Sequence, residues 1–180
     1  MTHPLFARLD RQLARAKEEL AHIEAAEQRE LRLKRNAPRN YDQWAHNASI
    51  AEGIRATYSG LESILEAIAK EIDDFVSTGD SWHAELVETM AFDLSGTRPA
   101  VISKTTRELM DELRRFRHIV NHKYALELKR SLVRKNLNLL RKCVPLFEKD
   151  YSKFVRVMTK EDDHDGGRSS SLRRAGRRQP

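Results

Sequence analysis

Apolar side chains recur every three or four positions through most of the chain, and this period constrains the fold more than any other feature. Leu5, Leu9, Leu13, Ala16, Leu20 and Ile23 form one such row with charged residues between them. At about 100° per residue the row is one stripe of a helix, whereas a strand would alternate at every second position. It predicts a first helix over roughly residues 4–35, closed by Asn36, Pro38 and Asn40. A second row from Trp44 through Ile54, Tyr58, Leu61, Leu65 and Ile68 to Phe75 predicts another long helix, with Asp42 as its N-cap. Gly53 and Gly60 share one face of it; each costs about 1 kcal/mol against alanine, so close approach of a neighbouring helix is the expected reason for them. Trp82–Phe92 reads as a short helix and Asp93–Ile102, with Gly96 and Pro99, as a connection. Ser103 is placed to cap a helix carrying Leu109, Leu113, Phe116 and Val120. The last row runs from Leu132 or Val133 through Leu137, Leu140, Val144, Phe147, Tyr151 and Phe154 to Met158, with Pro145 expected to bend its helix. The expected fold is all-α: an antiparallel bundle of about four long helices plus a short one, over residues 1–158. From 159 to 180 there is almost nothing to bury, and a disordered charged tail is expected.

Composition narrows the class further. With 7 Gly and 5 Pro in 180 residues, collagen-like and turn-rich architectures are excluded. The lone Cys143 cannot close a bridge within the chain and lies in a helical apolar pattern, which predicts a small buried hydrophobe and a reducing compartment. No apolar run approaches the roughly 18 residues of a membrane span, and Arg8, Asp10, Arg11 and Arg15 interrupt any signal-peptide core, so a cytoplasmic protein without a membrane partner is expected. The net charge of +6 is unevenly spread. Residues 36–103 carry 4 basic and 11 acidic side chains, whereas residues 104–142 carry 12 basic and 4 acidic ones. A local excess of that size attracts polyanions.

The chemistry concentrates between Arg114 and Tyr124, where Arg115, Arg117, His118, Asn121, His122 and Lys123 also lie. With Leu113, Phe116 and Val120 turned to the core, Arg115, His118 and His122 fall on the opposite side of the helix. Two histidines at i and i+4 could ligate a metal, but His83 or Asp93 would have to complete the set at no recognisable spacing, and the surrounding positive charge opposes a dication. No metal or other cofactor is therefore expected. A purely binding face suits the charge but has few aromatic platforms. Imidazole beside guanidinium suits phosphodiester cleavage: one moves a proton, the other stabilises charge building on phosphorus. Arg117 and His122 are about 140° apart on a regular helix, so they converge only if the helix ends or a second subunit contributes.

Arg117, His122 and Tyr124 spell R-x4-H-x-Y, and together with YSGLESILEAIAKEID at 58–73, SWHAELVETMAFDLSGTRPAVIS at 81–103 and ELRRFRHIVNHKYALEL at 112–128 the chain resembles the HepT-like toxins of the HEPN superfamily. The resemblance covers roughly residues 5–155. It implies a metal-independent endoribonuclease, the toxin of a toxin–antitoxin pair, that cuts RNA through Arg117 and His122 in the cleft of a homodimer. It also implies a minimal nucleotidyltransferase antitoxin as partner, which adds AMP to the position of Tyr124. His118, Asn121, Arg115 and Lys123 are expected to support the phosphate. In the wider superfamily asparagine commonly follows the arginine, where His118 stands here. The competing expectation is a non-catalytic helical module that binds RNA, a nucleotide or a protein through the same basic face.

Overall fold

A computed structural model describes residues 4–34, 43–74, 82–122 and 128–160, and the backbone alone of 161–174. Its helices are α1 (Pro4–Lys34), α2 (Gln43–Glu71), the short α3 (Trp82–Thr89), α4 (Lys104–His122) and α5 (Arg130–Arg174). Four long helices and one short one form an all-α bundle, as the spacing predicts, and the described residues hold no strand, only an isolated bridge between Leu94 and Arg98. None of the described helices is long and apolar enough to cross a membrane.

The apolar rows all meet in one core. Leu9, Ile54, Leu61, Ile64, Leu65, Ile68, Met90, Phe116 and Phe147 are essentially inaccessible to water, and Cys143 lies among them. Burial pushes the Cys143 thiol up to about 12, with the Asp150 carboxylate adding to the effect. The two glycines of α2 do mark a close crossing. A β-carbon on Gly53 would fall 2.5 Å from Ile23 Cγ1 of α1, and one on Gly60 would fall 3.3 Å from Ala16 Cβ. Between α2 and α4 the chain turns through Asp74, at φ 51°, and Gly96, at φ 77°. Arg98 staples this region: its fully buried guanidinium donates to both oxygens of Asp73 at 2.7 and 2.8 Å and to the carbonyls of Phe92 and Pro99.

One element differs from the sequence expectation. α3 stops at Thr89, three residues early, because Met90 turns its backbone carbonyl to Val101 and Ile102 and so closes the loop that follows. α5 runs from Arg130 to Arg174 and continues through the exposed Pro145. The side chains from 161 onward, like the helix-ending residues 35–42 with Asp42, and Phe75, lie outside the described residues.

Candidate functional site

The rotation of α4 is set at its first turn. Ser103 caps it as expected, its Oγ accepting from the Thr106 N–H at 3.3 Å. Asp150 of α5 accepts from the Ser103 N–H at 2.8 Å and the Thr106 hydroxyl at 2.6 Å, which ties the cap to the neighbouring helix. Leu113 and Phe116 then bury their side chains, while Arg115, His118, Asn121 and His122 are exposed, the orientation predicted from periodicity. Lys123 and Tyr124 lie outside the described residues.

Arg117 takes neither direction. It leaves the flank of α4 toward α2 and α3, where Nη1 donates to Glu62 Oε2 at 2.8 Å. The other oxygen of Glu62 accepts from the Tyr58 hydroxyl at 2.8 Å and lies 2.9 Å from His83 Nδ1. An ionised carboxylate only accepts, so that short contact puts a proton on Nδ1, and the 3.2 Å approach of Nη1 to the same nitrogen is packing rather than a hydrogen bond. The Arg117 guanidinium carbon lies 6.0 Å from the centre of the Tyr58 ring, and the His83 ring stacks on Trp82 at 3.7 Å. Glu62 is only 6% exposed, so its charge is shielded from water and spent on Arg117, His83 and Tyr58. Burial, with the Glu62 carboxylate beside it, pushes the Tyr58 hydroxyl far above its ordinary range. Arg117 Nε is buried and makes no hydrogen bond among the described residues.

Sequence reasoning did not single out Glu62 or Tyr58 and considered His83 only as a metal ligand. A signal existed: Glu62 falls at the edge of the apolar arc of α2 drawn by Ile54, Tyr58, Leu65 and Ala69, where a buried charge requires a partner. Among the described residues no group of three or more His, Cys, Asp or Glu side chains could hold a metal ion.

His122 is built in the opposite way. Its Nδ1–H donates to the His118 carbonyl at 2.8 Å, which fixes the ring and leaves Nε2 without a hydrogen-bond partner among the described residues. The His118 and His122 rings stack with centroids 4.1 Å apart. Arg115, beside them, donates to Asp111 at 2.6 Å and Glu112 at 2.7 Å, so its charge is partly offset where it stands. α4 stays helical to His122, so Arg117 and His122 point to different sides and do not meet within one chain.

No curated protein and no solved structure matches the chain. The family model of the HepT-like proteins matches residues 49–158, over half of the sequence, from near the start of α2 through the packed part of α5. That span holds Tyr58, Glu62, His83, Arg117 and His122, the whole of the arrangement just described, and the chain belongs to the HepT-like proteins of the HEPN superfamily.

Proposed function

We propose that the protein is a metal-independent endoribonuclease that acts as a dimer, each catalytic centre combining Arg117 and His122. The observation that carries this reading is the state of His122: an exposed imidazole whose Nδ1 is committed to a backbone carbonyl, leaving Nε2 to exchange a proton with substrate. Arg117 complements it as a cation held in place by a buried carboxylate, suited to charge that builds on a phosphoryl oxygen. Proton transfer from imidazole and charge stabilisation from guanidinium together suffice for attack of a ribose 2′-hydroxyl on the adjacent phosphorus. The 2′-hydroxyl gives its proton to a His122 imidazole, the bond to the 5′-oxygen breaks, that oxygen takes a proton from an imidazolium, and a 2′,3′-cyclic phosphate remains.

The dimer follows from the divergence of the two side chains. A two-fold axis beside the exposed face of α4 would bring one motif opposite its copy. Apolar surface for such an interface is present at the same end of the bundle: Leu31 and Trp44 are half exposed, and the Asn47–Leu128 and Glu30–Arg130 contacts join their helix ends to the start of α5. Tyr124, two residues beyond His122 in the sequence, would accept AMP from a nucleotidyltransferase, bringing a phosphate into the basic cleft and hindering RNA. The biological role that fits these parts is the toxin of a toxin–antitoxin pair.

The test is cleavage of a labelled RNA in excess chelator by the wild type and by His122→Ala. The variant should cleave about 10²–10⁴-fold more slowly, as expected for loss of a general acid–base, with RNA binding retained. Full cleavage by the variant would overturn the reading. Intact binding with no cleavage by either protein would favour the non-catalytic module.

A further inference from the structure

The outer face of α5 carries a second basic surface, outside the Arg117–His122 site. Lys135, Lys142, Lys149 and Arg156 recur at intervals of seven, and Lys153 joins them; all five are exposed. At about 100° per residue they occupy one arc of roughly 60°. Among the described residues of α5 no carboxylate shares that arc. Glu148 is turned to the α1 side, where it accepts from Lys17 at 2.6 Å, and Asp150 to the α4 side, where it caps that helix. Arg141, on the α1 edge, is likewise spent on Glu24 and Glu27. Among the described residues Lys142, Lys149, Lys153 and Arg156 have no ion-pair partner, and Lys135 has only a loose one, Glu112 at 3.6 Å. Like charges four and seven residues apart on one helix face repel, so the helix carries this row at a cost to itself. That same loose contact joins the row to the candidate site, since Glu112 also pairs with Arg115.

We propose that this face of α5 is a phosphate track for single-stranded RNA leading away from the His122 end of α4. It rests on the reading of the protein as one that acts on RNA and adds where the strand beyond the scissile bond lies. From Lys135 to Arg156 the helix rises about 32 Å, long enough to contact a strand of several nucleotides. Lysine contacts phosphate as a point charge, and the row has no aromatic side chain on which a base could stack, so the track holds the backbone without reading sequence. An anionic membrane or the acidic half of a second copy could also be drawn to it, but only a strand matches a single row one side chain wide that is continuous with the RNA site.

The experiment measures binding of a 2′-O-methyl oligouridylate of 20 nucleotides, which cannot be cleaved, by the full chain carrying His122→Ala. Each measurement is repeated between 0.1 and 1 M salt. The triple change Lys142→Gln, Lys149→Gln, Lys153→Gln should lower the salt slope by about 2 and weaken binding about 100-fold at 0.1 M salt, with the curves converging near 1 M. The corresponding triple arginine variant should bind as the parent does, which separates charge from folding. Parental affinity and slope in the glutamine variant would overturn the track. So would failure of the parent to bind the oligonucleotide while the lysines drive binding to phosphatidylserine vesicles, or a loss that sedimentation traces to dissociation of a dimer. If the wild type cleaves no RNA at all but the glutamine variant still loses binding, the ribonuclease reading falls and the track stands.

Discussion

Two places in the molecule share one constellation. At the flank of α4, the buried Glu62 holds Arg117 at 2.8 Å and His83 at 2.9 Å. At the opposite edge of α2, the buried Glu30 of α1 holds Arg130 of α5 and His46 of α2, each at 3.0 Å. The residue types, distances and burial of the carboxylate nearly coincide, so a carboxylate between an arginine and a histidine is no mark of an active site by itself. The surroundings differ. Glu30 ties together the ends of three helices, a structural task. The Glu62 cluster has Tyr58 beneath it, a stacked Trp82 beside it and, five residues along the helix from Arg117, an imidazole that the fold leaves exposed. A shared motif acquires a functional reading from what stands next to it.

Exchanging the two arginines for alanine is the strongest way to break this comparison. Arg117→Ala should reduce RNA cleavage by about 10²–10³-fold, the scale of one lost charge-stabilising donor, while Arg130→Ala should leave the rate per folded molecule within a few-fold. Equal losses in a quantitative cleavage assay would put Glu30 in the same machinery as Glu62. The carboxylates should behave alike where the arginines do not. Glu62→Ala and Glu30→Ala each strand a partly buried guanidinium, and each should lower the unfolding free energy by about 3 kcal/mol in urea titrations, at the low end for buried pairs because both arginines keep some contact with water.

Tyr58 sharpens the contrast, since its hydroxyl donates to the Glu62 carboxylate at 2.8 Å. Its hydroxyl titrates above the ordinary 10.0 when folded. The stability it contributes is therefore complete below pH 10 and lost as the pH rises beyond that value. Tyr58→Phe should cost about 1 kcal/mol at pH 8 for the lost hydrogen bond and should flatten the alkaline fall in stability measured by chemical unfolding. The smallest effect belongs to Arg115, which is 60% exposed. Arg115→Ala should change the unfolding free energy by no more than about 0.5 kcal/mol, and a larger loss would mean that its pairs with Asp111 and Glu112 support the helix end.

The helices were legible because each buries one stripe, and a stripe is a local, periodic property. The orientation of His118 and His122 away from the core followed from the same count, as did the close crossing at Gly53 and Gly60. Arg117 was legible as a motif residue but not as an inward-turned one. Its direction depends on Glu62 and His83, which stand 55 and 34 residues away in the chain, and no period links them. The end of α3 was missed for a related reason: Leu86, Val87 and Met90 continue a helical pattern, and only the carbonyl of Met90, engaged by Val101 and Ile102, stops it.

The cap of α4 makes the helix a lever. Asp150 grips it at Ser103 and Thr106, and His122 rides near the far end, about 27 Å away along the axis. A tilt of about 5° at the grip would swing the imidazole by about 2 Å, beyond the roughly 1 Å misplacement that already costs an enzyme heavily. The aim of the imidazole thus depends in part on a carboxylate at the far end of the helix, and substitutions at Asp150 would be felt at the other end of α4.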